Sequence, residues 1–349
     1  MPTQKRVTHQ DVAKLAGVST AVVSYVINNG PRPTSLEVRE RVLRAIAELD
    51  YHPSALARSL RSQRTNTIAF IASDYYDVGD NIQIFTAPSS SAILTGLVTE
   101  TKANGYYLLV FPIGVEEELN QLQVLLRSGR LDGVVVRLVQ ESSATDPLLE
   151  MISSVDIPCV CIERPGDPRF GFSTVTFDDE RGAYTATQYL IEQGHTRIAH
   201  IHGDLRYDAS LRRLSGYRQA LTDANLPIDE QIIAGKTWLS ADAIAAAQRI
   251  MQGDAPPTAI LAASDTLAFP IIQFLQSQGY RIPGDVSVIG FDDIPLARDM
   301  APALTSIRIP FVEIGRKAVN LTLDAMAGSS NANTMSDVLP VELIRRGTA

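Results

Sequence analysis

The chain has only two cysteines in 349 residues, Cys159 and Cys161. Spaced C-x-C on a strand, both point to one side and cannot close an ordinary bridge, so a buried, reduced pair is expected. Two ligands are too few for a structural metal centre. No uninterrupted apolar run reaches spanning length, which excludes a transmembrane helix and membrane partners. The N-terminus has no apolar signal-peptide core, which points to the cytoplasm. A phosphate-cradling G-x-x-x-x-G-K-[ST] loop is missing, as are G-x-G-x-x-G, G-x-S-x-G and H-E-x-x-H, so nothing calls for a cofactor or an enzyme of those classes. His200 and His202 share a strand face but have no further ligand at metal spacing, and read as structural. The carboxylate pairs Asp178-Asp179 and Asp292-Asp293 are adjacent residues that point apart, so each supplies one inward group at most.

What is present describes an ordinary globular protein, 45% hydrophobic and 20% charged, long enough for two or three folding units. The net charge of −8 argues against nucleic acid only as an average. Residues 1–65 carry ten Lys or Arg against five Asp or Glu, a balance of +5 that leaves −13 for the rest. A basic head on an acidic body is the asymmetry expected when one small module meets phosphate.

That head contains T-H-Q-D-V-A-K-L-A-G-V-S-T-A-V-V-S-Y-V-I-N, residues 8–28. Thr8 and Asp11 predict a capping box, and Val12, Leu15 and Ala16 an inward stripe. Gly17 stands where a left-handed turn ends the helix. Ser19 predicts the cap of a second helix, with Val22, Val23 and Ile27 inward. Thr20, Ala21, Ser24, Tyr25 and Asn28 then face out. Two short helices in this relation form a helix-turn-helix, whose second helix enters the DNA major groove. Thr34 or Ser35 predicts a third helix to Leu49, with Val38, Val42, Leu43, Ile46 and Leu49 buried. The following S-A-L-A-R-S-L-R-S, residues 54–62, is a helix too short to be stable alone. Its Leu60 suits a minor-groove wedge.

From Thr67 onward short β-rich runs (67–72, 106–111, 132–137, 158–162, 197–202, 258–263, 285–291, 306–310) alternate with helical patterns (90–104, 116–128, 179–193, 209–224, 240–252, 265–278, 311–326), followed by a last strand to Arg346. This order predicts parallel sheets covered on both faces, in two subdomains because the stretch is long for one sheet. A ligand of such sheets binds beyond the carboxyl ends of the strands.

The head, read with R-E-R-V-L-R-A-I-A-E-L-D-Y-H-P-S-A-L-A-R-S-L-R, resembles the headpiece and hinge of the LacI family of bacterial repressors. In the body E-Q-G-H-T-R-I-A-H-I-H-G, R-R-L-S-G-Y, S-D-T-L-A, V-S-V-I-G-F-D-D and P-A-L-T-S-I-R are similarly placed to that family's motifs. The resemblance implies an all-α helix-turn-helix headpiece (1–52), a hinge helix and linker (53–65), and a periplasmic-binding-protein-like α/β core (66–349). Its N-subdomain is expected at about 66–163 and 294–325, and its C-subdomain at about 164–293 and 326–349. It also implies a homodimeric repressor, a pseudo-palindromic operator in double-stranded DNA, and a small-molecule effector in the inter-subdomain cleft. By position, Thr20, Ala21 and Tyr25 are implied as base readers and Thr8, Ser19, Ser24 and Asn28 as phosphate or supporting contacts. Ala57 and Leu60 fall on the hinge positions. Tyr25 stands where members commonly have Arg.

For the effector the resemblance implies Asp74, Tyr207, Arg213, Trp238, Ser264 and Asp292. An arginine fork, a carboxylate and an aromatic face suit a small polar ring. The stretch T-A-P-S-S-S, 86–91, lacks the stacking aromatics of the family's N-P-F-F, which tilts the expectation toward a sugar; Tyr75 or Tyr76 is a candidate replacement. The alternatives are control by a protein partner, or a solute-binding or enzymatic use of the same α/β core.

Overall fold

The computed structural model describes residues 7–27, 34–52, 64–72, 76–78, 81–83, 87–113, 116–138, 145–328 and 335–349. Asn28, the 54–62 segment with Ala57 and Leu60, Asp74 and Tyr75 lie outside the described residues. The chain divides into two compact units, Met1–Thr65 and Asn66–Ala349.

The first unit is helical: α1 (His9–Ala16), α2 (Thr20–Ile27) and α3 (Leu36–Glu48). The expected capping box closes α1. The Thr8 backbone N–H donates to Asp11 Oδ2 at 2.8 Å, and the Asp11 N–H donates back to Thr8 Oγ1 at 3.4 Å. Gly17 ends α1 at φ 65°, the left-handed conformation that favours glycine. Ser19 and Ser35 cap the next two helices, each accepting a backbone N–H at 3.3 Å. The core joins Val12, Ala13, Ala16, Val23, Val26, Val42, Ala45 and Tyr51. Two expected core leucines are outside it: Leu15 is 46% exposed and Leu43 48%. At 3.6 residues per turn, each stands roughly 110° round its helix from the centre of the buried arc. The small Ala13, Ala16 and Ala45 supply the close contacts instead. Tyr51 packs edge-on against His9 and meets its Nδ1 at 2.8 Å, tying the end of α3 back to the start of α1.

The second unit holds two six-stranded sheets. The first contains β1 (Thr67–Ala72), β4 (Tyr107–Pro112), β5 (Gly133–Arg137), β6 (Cys159–Ile162), β7 (Ser173–Phe177) and β13 (Ser336–Leu339), in the order β13-β7-β6-β5-β1-β4. The second contains β8 (Ile198–His202), β9 (Ile233–Gly235), β10 (Ala259–Ala262), β11 (Ser287–Asp292), β12 (Thr305–Arg308) and β14 (Glu342–Ile344), in the order β14-β12-β11-β10-β8-β9. All described pairings in them are parallel except β12 with β14. A short hairpin, β2 (Tyr76–Val78) with β3 (Asn81–Gln83), stands apart. Around the sheets lie α4 (Pro88–Ala103), α5 (Glu116–Arg127), α6 (Thr145–Ser153), α7 (Asp179–Glu192), α8 (Asp208–Asp223), α9 (Ser240–Met251), α10 (Asp265–Ser277), α11 (Pro295–Asp299) and α12 (Phe311–Met326).

Strand pairing corrects the expected subdomain limits. β7 pairs with β6, so the first lobe runs past 163 to Phe177. β12 pairs with β11, so residues 305–308 belong to the second lobe. The expected last strand is two, β13 on the first sheet and β14 on the second. The chain therefore crosses between lobes after β7, after β12 and between β13 and β14. Pairing partners far apart in sequence decide this, and no local pattern carries it.

Helix pairs approach closely where glycine removes the side chain. A Cβ at Gly216 of α8 would collide with the Glu180 carbonyl of α7. Cys159 and Cys161 are free and buried in the first lobe, and burial raises the Cys159 thiol well above its ordinary value. His200 is fully buried, bonded through Nδ1 to the Leu261 carbonyl at 3.0 Å and stacked on Tyr217. Burial pushes it down to about 3, so its ring is neutral. Among the described residues no group of three or more His, Cys, Asp or Glu is placed to hold a metal ion.

Candidate functional site

In the helical unit, α2 buries Val23 and Val26 and turns Thr20 and Ala21 to solvent, with Ser24 and Tyr25 partly exposed beside them. Thr8 and Ser19 use their hydroxyls as caps, Thr8 Oγ1 also donating to Asp11 Oδ2 at 2.7 Å. Their contribution is to fix the ends of α1 and α2, which sets where the outward side chains stand.

In the second unit a cleft of about 140 Å³ opens at the carboxyl ends of the strands. Five of the six expected effector residues line it: Tyr207, Arg213, Trp238, Ser264 and Asp292. Each follows a strand of the second sheet. Tyr207 and Arg213 come after β8, Trp238 after β9, Ser264 after β10, and Asp292 ends β11. Gly203 makes room for the indole, since a Cβ there would meet the Trp238 ring. Tyr207 packs edge-on against it, with centroids 5.8 Å apart. Trp238 Nε1 is buried with no hydrogen-bond partner among the described residues.

Arg213 is 4% exposed and held on several sides. Its Nε donates to Asp179 Oδ1 at 2.7 Å, its Nη1 donates to the Ala263 carbonyl, and its guanidinium lies 3.9 Å from the Phe291 ring centroid. Asp292 Oδ1 stands 3.7 Å from Nη1, beyond direct hydrogen-bond reach. Asp179 also takes Arg212 at 2.8 Å. Burial raises both Asp179 and Asp292, opposed by the Arg213 charge. The cleft thus presents a fixed cation beside a carboxylate that is incompletely partnered, a pairing suited to a ligand with adjacent acceptors and donors.

Two charged groups escaped the sequence reading, and a third, Asp179, was named there only as half of a carboxylate pair. Arg137 ends β5, is 4% exposed, and pairs with Glu163 after β6 while Nη1 donates to Ser90 Oγ at 2.7 Å. Glu163 has φ 61°, and its charge acts on Asp179, Arg213 and Asp292. The available signal was a charged residue closing an apolar strand, as in D-G-V-V-V-R and S-T-V-T-F-D-D. Of the two carboxylate pairs, Asp178-Asp179 gives one inward group, Asp178 capping α7. Asp292-Asp293 likewise sends one carboxylate to the cleft. Asp292 faces Arg213, and Asp293 turns the other way onto Arg308 and Arg346 at 2.8 and 2.6 Å.

Residues 8–54 match the family model for bacterial regulatory proteins, lacI family, and residues 187–349 that for a periplasmic binding protein-like domain. The HTH-type transcriptional repressor PurR of Vibrio atlanticus (strain LGP32) is 35% identical over 343 residues, 98% of each chain. The chain belongs to the LacI family. Among solved structures, the transcriptional regulator CelR in complex with cellobiose is similar at 32% identity and a TM-score of 0.73, covering 99% of this chain and 100% of that one. The lac repressor dimer bound to operator and the anti-inducer ONPF, 24% identical, shares the fold at a TM-score of 0.82 over 99% of each chain. As a LacI-family regulator the chain is a DNA-binding protein of transcription, with a helical headpiece and an α/β core. Its relatives are named as transcriptional repressors. No described helix is long and apolar enough to cross a membrane.

Proposed function

We propose that this LacI-family chain is a homodimeric repressor that reads a pseudo-palindromic operator through α2 and takes a sugar-like effector in the cleft of its α/β unit. The observation that carries the effector reading is the trapped arginine. Arg213 is fixed by Asp179 and Phe291, with Asp292 3.7 Å away and the Trp238 ring lining the same cleft. A ring bearing adjacent hydroxyls suits this arrangement, accepting from Arg213 and donating to Asp292 while its apolar face lies against the Trp238 ring. The cellobiose held by CelR supports a sugar over other polar rings.

The effector acts by altering how the two lobes are set, and through them the segment leading to the headpiece. A coupling of about 1–3 kcal/mol changes operator affinity about 5- to 150-fold. Melting the full-length chain with a panel of neutral sugars, sugar acids and nucleobases tests this. A neutral sugar is expected to raise the melting temperature and to shift operator affinity at the same concentrations. A nucleobase that does both, with sugars inert, overturns the sugar reading.

At the DNA, Tyr25 offers one hydroxyl and a ring able to touch a thymine methyl, where arginine would read guanine through two bonds. Tyr25→Arg is expected to move the outer-base preference of operators selected from random duplex toward guanine. An unchanged preference removes Tyr25 from the readers.

A further inference from the structure

The turn that aims Asp292 into the cleft does not support itself. Asp292 and Asp293 have φ of 113° and 54°, conformations that side-chain-bearing residues keep only when their surroundings hold them there. The hold comes from beneath. The Asp293 N–H donates to Ser306 Oγ at 3.2 Å, the Ser306 hydroxyl donates to Asp265 Oδ1 at 2.6 Å, and the Ile294 N–H donates to Asp265 Oδ2 at 2.8 Å. One fully buried carboxylate therefore anchors both halves of the turn. β11 is cleared for it, because a Cβ at Gly290 would run into Asp265 Oδ1. Asp265 also opens α10 directly after the cleft residue Ser264. We propose that Asp265 is a positioning residue of the effector site: its carboxylate clamps the Asp292–Asp293 turn, and the proton it exchanges makes the aim of Asp292 sensitive to pH.

This rests on the cleft being the effector site, although the clamp is measurable without any ligand. The charged groups around Asp265 are Asp292 and Asp293 on the turn, Arg308 on β12, Arg346 in the C-terminal stretch, and Arg213 of α8, which reaches the Ala263 carbonyl two residues before Asp265. Burial pushes Asp265 up to about 7, and the Asp293 charge adds to this. The bonds from Ser306 and Ile294 and the Arg346 charge pull the other way. The Asp265 charge in turn raises Asp292. As a carboxylate, Asp265 accepts from both Ser306 and Ile294. As an acid it carries a hydroxyl that must donate, which reverses the Ser306 bond and relieves Asp292 of a neighbouring negative charge. Burial favours the acid form, so the group's contribution to stability is present at low pH and lost as pH rises from about 4 through about 7.

Trp238 is the only tryptophan of the chain and lines the cleft, so intrinsic emission of the full-length, effector-free protein reports on the site. Wild-type emission is expected to titrate with a midpoint near 7. Asp265→Asn should abolish that step. Ser306→Ala should move it upward, because it removes a bond that favours the carboxylate. His202→Gln, which removes the histidine next to Gly203, should leave the step in place. Asp265→Asn should also melt roughly 5 °C above wild type at pH 8, with the difference closing toward pH 5. The proposal is overturned by a wild type with no step between pH 6 and 8, by a step that His202→Gln removes and Asp265→Asn keeps, or by a melting difference that does not vary with pH. If Asp265→Asn fails to fold, Ser306→Ala decides through the direction of its midpoint. A sugar panel without hits removes the effector reading and leaves these outcomes as they are.

Discussion

Arg213→Ala is expected to abolish the effector response while leaving operator binding within about twofold of wild type. Removing the guanidinium takes away the cation held 3.7 Å from Asp292 and leaves that carboxylate less compensated in the cleft. A hydrogen bond from a neutral ligand to a charged group contributes about 1.5–3 kcal/mol, so affinity for a sugar found in the panel should fall at least ~10-fold. The fold also loses stability, because Asp179 is fully buried and its Oδ1 no longer has its arginine. Breaking a buried pair costs about 3–5 kcal/mol. The 2.8 Å contact from Arg212 keeps the loss at the low end, about 3 kcal/mol. Arg213→Lys separates the two effects. A lysine keeps the charge but cannot make the fork, so it should recover part of the stability and none of the response. Calorimetric titration and urea unfolding read both. Retention of the response in Arg213→Ala would mean that the ligand is held elsewhere.

The second large effect is expected at Leu60, which lies outside the described residues and rests on the sequence pattern of the 54–62 segment and on family resemblance. A leucine wedge unstacks a base step and bends the duplex, and the bend brings more protein onto the DNA. Leu60→Ala should therefore weaken binding to a selected operator by about 10- to 100-fold. Binding to random duplex, carried by phosphate contacts, should stay within about twofold and keep its salt slope. Equal losses on both duplexes would remove the wedge role.

The helix ends were legible because capping is local. The Thr8–Asp11 box, Gly17, and Ser19 and Ser35 as caps each need only neighbours three or four residues away. The strand order of the α/β unit was partly legible. Alternation predicts parallel strands, but it cannot say that β7 extends the first sheet or that the chain's last β stretch splits between two sheets. Those facts depend on pairs such as Thr174 with Ser336, 162 residues apart. The same distance hid part of the cleft. Arg213 and Asp292 stand out through family motifs, whereas Asp179 and the Arg137–Glu163 pair gain meaning only when strand ends converge. Leu15 and Leu43 show the opposite error: hydrophobicity suggested burial, and the angle round the helix decided exposure.

The central claim is a division of labour, with a basic helical unit holding duplex grooves and an acidic α/β unit that senses a small molecule. Selection of duplexes from a random pool by the purified full-length chain tests it most directly, followed by titration of the selected and scrambled sequences at one fixed salt concentration. The account predicts a twofold-symmetric consensus bound at least ~1000-fold more tightly than scrambled duplex. Recovery of no symmetric consensus, with equal affinity for both duplexes across the metabolite panel, would contradict it.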